Sequence, residues 1–277
     1  MTSTSLAPLW PTFGLTGWTQ VFLLEIRIHW ERLESFKIDC RDLTFNMDND
    51  NAVKFQIFDN TFREILGPSL NITLALEENF PFAHEAGVYF PHLDALFVTS
   101  NQFVPEGQQN KTIVISKLSR ASDGFWMREE LNVPTVPFGN GGINYRDGIL
   151  FCAQGSHTET GGLVWMAAEP PYRTKVIVDT YRGYSFNSVN DVVLHSDGSI
   201  WFTDPAYGVE QGIRPEQQLA NQVYRYDPKT GDIRVVADGF GKPNGICFSP
   251  DEQTVYITDT DFICGDGTTD ARRARTM

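Results

Sequence analysis

The chain has 277 residues, of which 41 % are hydrophobic and 13 % aromatic, enough for a sizeable core in one or two domains. Its 35 acidic and 22 basic residues leave a formal charge of −13, which argues against a nucleic-acid backbone or an anionic membrane surface as the main partner and leaves a cation site easy to accommodate. No run approaches the roughly 20 apolar residues of a membrane span.

Residues 1–42 follow none of the patterns found later and read as an N-terminal extension. The short apolar run VFLLEI lacks a basic leader and a small-residue cleavage site, so it makes a poor signal peptide; cytoplasmic and secreted locations both stay open. From residue 43 to 262 the text changes. Runs of four to seven residues rich in β-branched and aromatic side chains follow one another: VKFQIF, ALFVT, TIVISKL, GILFCA, GLVWMA, KVIVDTY, DVVLH, SIWFTD, QVYRYD, IRVVAD, GICFS and TVYITD. Turn formers such as SDGS, DPKTGD and SPDEQ separate them, and this predicts an all-β fold. Helical spacing is weak, with candidates only at LEENF near residue 75 and at 214–222. The remaining 263–277 read as an irregular tail. Of the four cysteines, Cys152 and Cys247 lie in apolar runs and are expected to be buried thiols. No CxxC pair or His cluster suggests zinc.

A repeat narrows the fold. NDVVLHSDGSIWFTD starts at Asn190 and NGICFSPDEQTVYITD at Asn244, each with an Asp seven residues on. NGGINYRDGILFCA starts at Asn140 with Asp147 in the same place, and EAGVYFPHLDALFVT starts at Glu85. Four frames at steps of 50–55 residues, each with about four strands, predict a β-propeller, with about four blades present. The last frame stops within its second strand, so either a small, irregular propeller or a fragment of a larger ring is expected.

In a propeller the innermost strands line a central channel, so equivalent frame positions meet at one height. Glu85, Asn140, Asn190 and Asn244 would then form a ring of one carboxylate and three amides. Such hard oxygen donors suit Ca²⁺ or Mg²⁺. Taken singly, each Asn is more readily a turn residue at a strand start, and it is the four polar heads in one frame that bring a ligand ring into balance with that reading. Asp191 would support the ring from behind. His84 is a possible base or a rim histidine, His157 follows an inner strand, and His195 sits in a surface turn. Ser156 has no GxSxG setting, and no nucleotide-binding loop is present.

FNSVNDVVLHSDGSIWFTDPAYG at 186–208 and NQVYRYDPKTGDIRVVADGFGKPNGICFSPDEQTVYITDT at 221–260 resemble the gluconolactonase/regucalcin-like family, and its fungal lactonohydrolases most. NFPFAHEAGVYFPHLDALFVTSNQF at 79–103 and FGNGGINYRDGILFCAQG at 138–155 look like earlier parts of the same pattern. The resemblance implies a six-bladed propeller, a single divalent cation (usually calcium) in the channel, and hydrolysis of a lactone, a cyclic ester of a sugar or hydroxy acid. It implies Glu85, Asn190 and Asn244 as metal ligands, Asn190 also as a substrate contact, Asp191 as an adjacent catalytic support, and Asn140 as a channel-lining residue. It further implies an Asp ligand in a later PDG motif, which this chain lacks, so turnover of the chain as it stands is expected to be much reduced. Two rivals stand beside it: a non-catalytic propeller that binds a ligand or protein, and a metal-dependent esterase or phosphotriesterase.

Overall fold

A computed structural model describes residues 3–8, 19–28, 71–273 and 276, with side chains from residue 75 onward. The chain divides into two compact units, 1–79 and 80–277. The first holds a three-stranded antiparallel sheet of β1 (Ser3–Pro8), β2 (Thr19–Ile28) and β3 (Asn71–Glu78) in the order β1-β2-β3. The LEENF segment enters β3 and is not helical. The run VKFQIF lies outside the described residues.

The second unit is a series of antiparallel meanders. The first sheet is β4 (Glu85–Phe90), β5 (Ala95–Thr99), β6 (Ile115–Arg120) and β7 (Trp126–Leu131), in that order. The second is β8 (Gly139–Tyr145), β9 (Gly148–Ala153), β10 (Gly162–Ala167) and β11 (Thr174–Val178), followed by a two-stranded ribbon of β12 (Thr180–Tyr181) and β13 (Tyr184–Ser185). The third is β14 (Val192–Leu194), β15 (Ile200–Asp204), β16 (Gln222–Tyr226) and β17 (Ile233–Ala237). The fourth pairs β18 (Pro243–Phe248) with β19 (Val255–Asp259). Each sheet begins with its frame strand at one edge, and β4, β8, β14 and β18 lie next to one another in turn. This is the blade order of a propeller.

Packing follows from the alternation of side chains along a strand. In β9, Ile149, Phe151 and Ala153 face a cluster shared with the first sheet, which includes Val88, Phe97 and Ile115. Leu150 and Cys152 face the opposite way, into a cluster with Val189, Ile200, Phe202 and Tyr224 of the third. A strand covered on both faces must be apolar throughout, which is why GILFCA reads as an unbroken hydrophobic run. A smaller cluster of Val223, Ile246 and Ile257 joins the third sheet to the fourth.

Two expectations are corrected. Residues 214–222 form no helix; the one helical turn among the described residues is α1 (Tyr207–Glu210), because Arg214 and Pro215 fix the next stretch as a loop. Cys152 is fully buried, but Cys247 is exposed, since period two in β18 turns Ile246 toward Val223 and Ile257 and Cys247 away. Among the described residues of the tail 263–277 there is no strand, and bridges pair Asp259 with Thr276 and Ile263 with Thr269. Among the described residues, no helix is long and apolar enough to cross a membrane.

Candidate functional site

The four frame heads share one local device. The register of β4 with β5 shifts between Glu85 and Val88, that of β8 with β9 between Gly139 and Gly142, and that of β18 with β19 between Pro243 and Ile246. At the third head, Asn190 donates its N–H to Thr203 O (3.0 Å) and Asp191 O accepts from Thr203 N (3.0 Å), just ahead of β14. Glu85, Asn140, Asn190 and Asn244 therefore all stand at irregularities that open the inner strands. Such bulges bend the strand and re-aim a side chain, and they recur beside active sites. In the first sheet the cost is visible: Ala86, buried, has φ of 53°, a conformation that a residue with a Cβ seldom adopts.

Neighbouring heads are bonded to one another. Thr99 Oγ1 donates to Asn140 O across the first two sheets (2.9 Å), Gly141 N to Asn190 O across the next pair (2.9 Å), and Thr203 Oγ1 to Asn244 O across the last (2.6 Å). Gly141 has no alternative here, because a Cβ would lie 2.5 Å from Asn190 O. Asp191 links the third and fourth sheets, its Oδ1 accepting from Val192 N (2.8 Å) and its Oδ2 from Ile246 N (2.9 Å).

The side chains at the heads differ in what they lack. Asn190 is 5 % exposed, and its buried Oδ1 has no donor among the described residues. The Glu85 carboxyl is pushed up to about 8, first by burial and then by the negative charge of Asp191. Burial also raises Asp191, against the pull of its two backbone N–H donors. The carboxyls of Glu85 and Asp191 thus repel each other, and the Asn190 amide oxygen has no donor among the described residues. Asn244 is oriented by a polar relay: its Nδ2 is 3.4 Å from Thr260 Oγ1, which also bonds the Tyr207 hydroxyl. With Nδ2 directed at Thr260, Oδ1 is the amide atom left to accept. Lys242 braces the back of this relay, with Nζ 3.0 Å from Glu210 Oε1, 2.8 Å from Ile263 O and 5.5 Å from the Tyr207 ring centroid.

The oxygen-only donors fit a hard cation: a positive ion would relieve the Glu85–Asp191 repulsion, and it is the kind of partner that the orphaned Asn190 oxygen lacks. Among the described residues, no group of three or more His, Cys, Asp or Glu is placed to hold a metal. Any cation would thus have to rest on amides as well as carboxylate. His84 Nε2 lies 4.0 Å from Glu85 Oε1, and burial lowers its pKa.

The other two histidines singled out from the sequence have partners of their own. His157 Nε2 meets Gly212 O at 3.1 Å, and His195 stands between Asp197 (3.1 Å) and Glu252 (3.6 Å), bridging turns of the third and fourth sheets. Ser156 Oγ accepts the N–H groups of Thr158 and Glu159, the work of a turn residue.

Sequence reasoning missed the supports. Asp204 accepts from Asn187 N (2.9 Å) and Ser188 N (2.8 Å), and Asp259 accepts from Gly241 N and Lys242 N (both 2.8 Å). These donors lie three and two residues before Asn190 and Asn244, so each carboxylate shapes the approach to a head. The signal was the Thr-Asp pair repeated at 203–204 and 258–259. Arg214, 7 % exposed, donates to four carbonyls: Asn187 (2.9 Å), Ser156 (2.8 Å), Glu159 (2.8 Å) and Phe186 (2.7 Å). No local pattern announces it.

The meander blades and the ring of bulged heads define a propeller-type protein. Residues 113–262, more than half of the chain, match the family model of the SMP-30/gluconolactonase/LRE-like region. The chain belongs to that family. Lactonohydrolase oryL of Aspergillus oryzae is 33 % identical over 238 residues, covering 80 % of this chain and 48 % of that protein. The gluconolactonase of Zymomonas mobilis is 35 % identical over 108 residues, 37 % of this chain and 30 % of that one. A solved gluconolactonase from Xanthomonas campestris is 28 % identical with a TM-score of 0.45, covering 60 % of this chain and 59 % of that one. The chain spans about half the length of the fungal lactonohydrolases it matches.

Proposed function

We propose that the chain carries the lactone-opening site of this family, with Glu85, Asn190 and Asn244 holding a divalent cation, Ca²⁺ being the best match to the donors. The observations that carry this reading are the buried, donorless Oδ1 of Asn190 and the Glu85 carboxyl, which desolvation and the charge of Asp191 push up. A buried acceptor without a partner costs about 1–3 kcal/mol, so its retention at a repeated frame position suits a ligand-holding role. When bound, the cation supplies Lewis acidity toward the ester carbonyl.

The protein's own residues do the rest. Asn190 and Asn244 orient the lactone at the mouth, and Asp191 keeps the third and fourth heads in register through Ile246 N. His84, held neutral by burial, takes a proton from the attacking water. The bond from the carbonyl carbon to the ring oxygen then breaks, the protonated His84 returns that proton to the departing oxygen, and the product is a hydroxy acid with a free alcohol. With one carboxylate and amides as donors, cation affinity should be weak, with a Kd roughly in the 10⁻⁴–10⁻³ M range of low-charge calcium sites.

The test is a panel of sugar lactones, aliphatic lactones, aryl esters and phosphotriesters, assayed with calcium and with chelator. Slow, calcium-dependent opening of lactones, lost in Glu85→Gln, is the expected result, in keeping with the much reduced turnover expected without the later Asp ligand. Preference for the esters or phosphotriesters would favour the esterase rival. No turnover, with calcium still bound, would leave a binding propeller.

A further inference from the structure

Tyr207 opens α1 in the loop between β15 and β16 of the third sheet, yet its hydroxyl reaches Thr260, beside the head of the fourth. It is buried, and its place is fixed from several sides. Gly208 donates its N–H to Ser188 Oγ (2.9 Å), and a Cβ on Gly208 would collide with Arg214 Cγ, so the backbone next to Tyr207 is closely packed. Glu210 Oε1 holds Lys242 Nζ beside the Tyr207 ring, and Glu210 Oε2 accepts from Gly265 N (2.7 Å). One residue on, Gln211 O accepts from Lys111 Nζ in the β5–β6 loop (2.8 Å). The segment that carries Tyr207 is thus tied to loops of the first and fourth sheets as well as its own.

The direction of the Asn244 amide follows from where the hydroxyl protons go. A hydroxyl has one proton and two lone pairs. The hydroxyls of Tyr207 and Thr260 bond to each other, and that contact uses one of their two protons. The other proton meets a backbone carbonyl in either arrangement. If Tyr207 donates, Thr260 Oγ1 gives its own proton to Lys242 O (3.4 Å). If Thr260 donates, Tyr207 gives its own to Thr260 O (3.4 Å). Both protons are engaged each way, and the pair offers Asn244 only lone pairs. The amide must then turn Nδ2 toward the pair, as it does toward Thr260 Oγ1, which keeps Oδ1 clear of it. Burial raises the Tyr207 phenol, and its hydrogen bonds with Thr260 and Asn244 act against that rise. Without the Tyr207 hydroxyl, Thr260 would keep a proton free to turn to Asn244, and the amide would be satisfied in either direction.

We propose that Tyr207 is a positioning residue for the ring: the pair it forms with Thr260 holds Asn244 in the one amide orientation that leaves an oxygen for a cation. The inference rests on the reading of Asn244 as a cation ligand. It adds that a tyrosine of the third sheet decides whether a ligand of the fourth is ready to bind.

The test is calcium titration of the full chain followed by NMR, with no lactone present. Tyr207→Phe should weaken calcium binding at least about threefold, because apparent affinity falls with the fraction of molecules whose amide is correctly turned. Thr260→Val should do the same, whereas Thr260→Ser, which keeps the hydroxyl, should stay within about twofold of the native chain. Asn244→Asp presents an oxygen whichever way the side chain turns. Adding Tyr207→Phe to Asn244→Asp should therefore change affinity by less than about 1.5-fold, while a packing defect would weaken both backgrounds alike. In chelator, the Asn244 side-chain amide protons, identified by their loss in Asn244→Asp, should exchange with solvent about tenfold faster in Tyr207→Phe. Calcium affinity unchanged in Tyr207→Phe, an equal loss in the native and Asn244→Asp backgrounds, or unchanged amide exchange would each overturn the positioning role and leave the ring reading standing. A native chain that binds no calcium would overturn the ring reading, and the role of Tyr207 with it.

Discussion

Asn190 shows what one atom can reveal. A side chain chosen for stability alone would not bury an oxygen without a donor. Asn190→Leu should therefore raise the stability of the cation-free chain by about 1–2 kcal/mol in urea unfolding, while abolishing the calcium-induced rise in Tm. A merely structural Asn would show the opposite first effect. Glu85 makes a pH prediction. Its folded pKa, about 8, is raised above the ordinary 4.5, so the folded state retains a proton that the unfolded chain has lost. Its contribution is fully present below 4.5 and is lost as pH rises toward 8. Without cation, the midpoint of urea unfolding should fall across that window, and Glu85→Gln should flatten the fall. Saturating calcium should do the same for the native protein, by favouring the ionised carboxylate.

At the scale of elements, the heads depend on the residues that lead into them. Asp204→Ala would leave the N–H groups of Asn187 and Ser188 without their acceptor in a buried loop and remove the counter-charge of Arg214. A loss of about 3 kcal/mol in chemical unfolding is expected. Asp259→Ala, which strips the matching pair from Gly241 and Lys242, should cost less, since Gly241 and the Asp261–Arg273 region are more open. Gly141→Ala should disturb the second and third heads together, with reduced cation affinity as the readout, because the new methyl would meet Asn190 O and Asp191 Oδ1. These elements also mark how far the sequence could be read. Short apolar runs between turn formers exposed β5, β9, β15 and β19, and the repeat marked the four frame heads. It could not expose β7, whose WMREEL is charged and half-exposed because it is an outer strand with one face in water. Nor could it find Arg214, whose partners are backbone carbonyls that have no sequence signature. The exposure of Cys247 was misread because an apolar run is compatible with burial on both faces or on one.

For the whole molecule, charge and topology both matter. The formal charge of −13 implies self-repulsion in the compact state. Raising ionic strength from about 10 mM to about 150 mM with a non-coordinating salt should raise the Tm by roughly 2–4 °C, the shift that about 1 kcal/mol produces in a domain of this size. Calcium at equal ionic strength should exceed that, and the excess should vanish in Glu85→Gln. The blade order itself was legible because each blade rewrites a similar sentence. The first sheet of 3–78 was not, since it follows no repeat.

The hydrogen bonds that run from Thr99 to the Asn140 carbonyl, from Gly141 to that of Asn190, and from Thr203 to that of Asn244 make the mouth a collar whose links are borrowed from adjacent staves. Such a collar cannot dilate at one stave alone: tilting any sheet drags the head of the next. Loosening should spread in steps around the rim, so amide exchange at Gly141, Asn190 and Ile246 is expected to quicken together when any one link is cut.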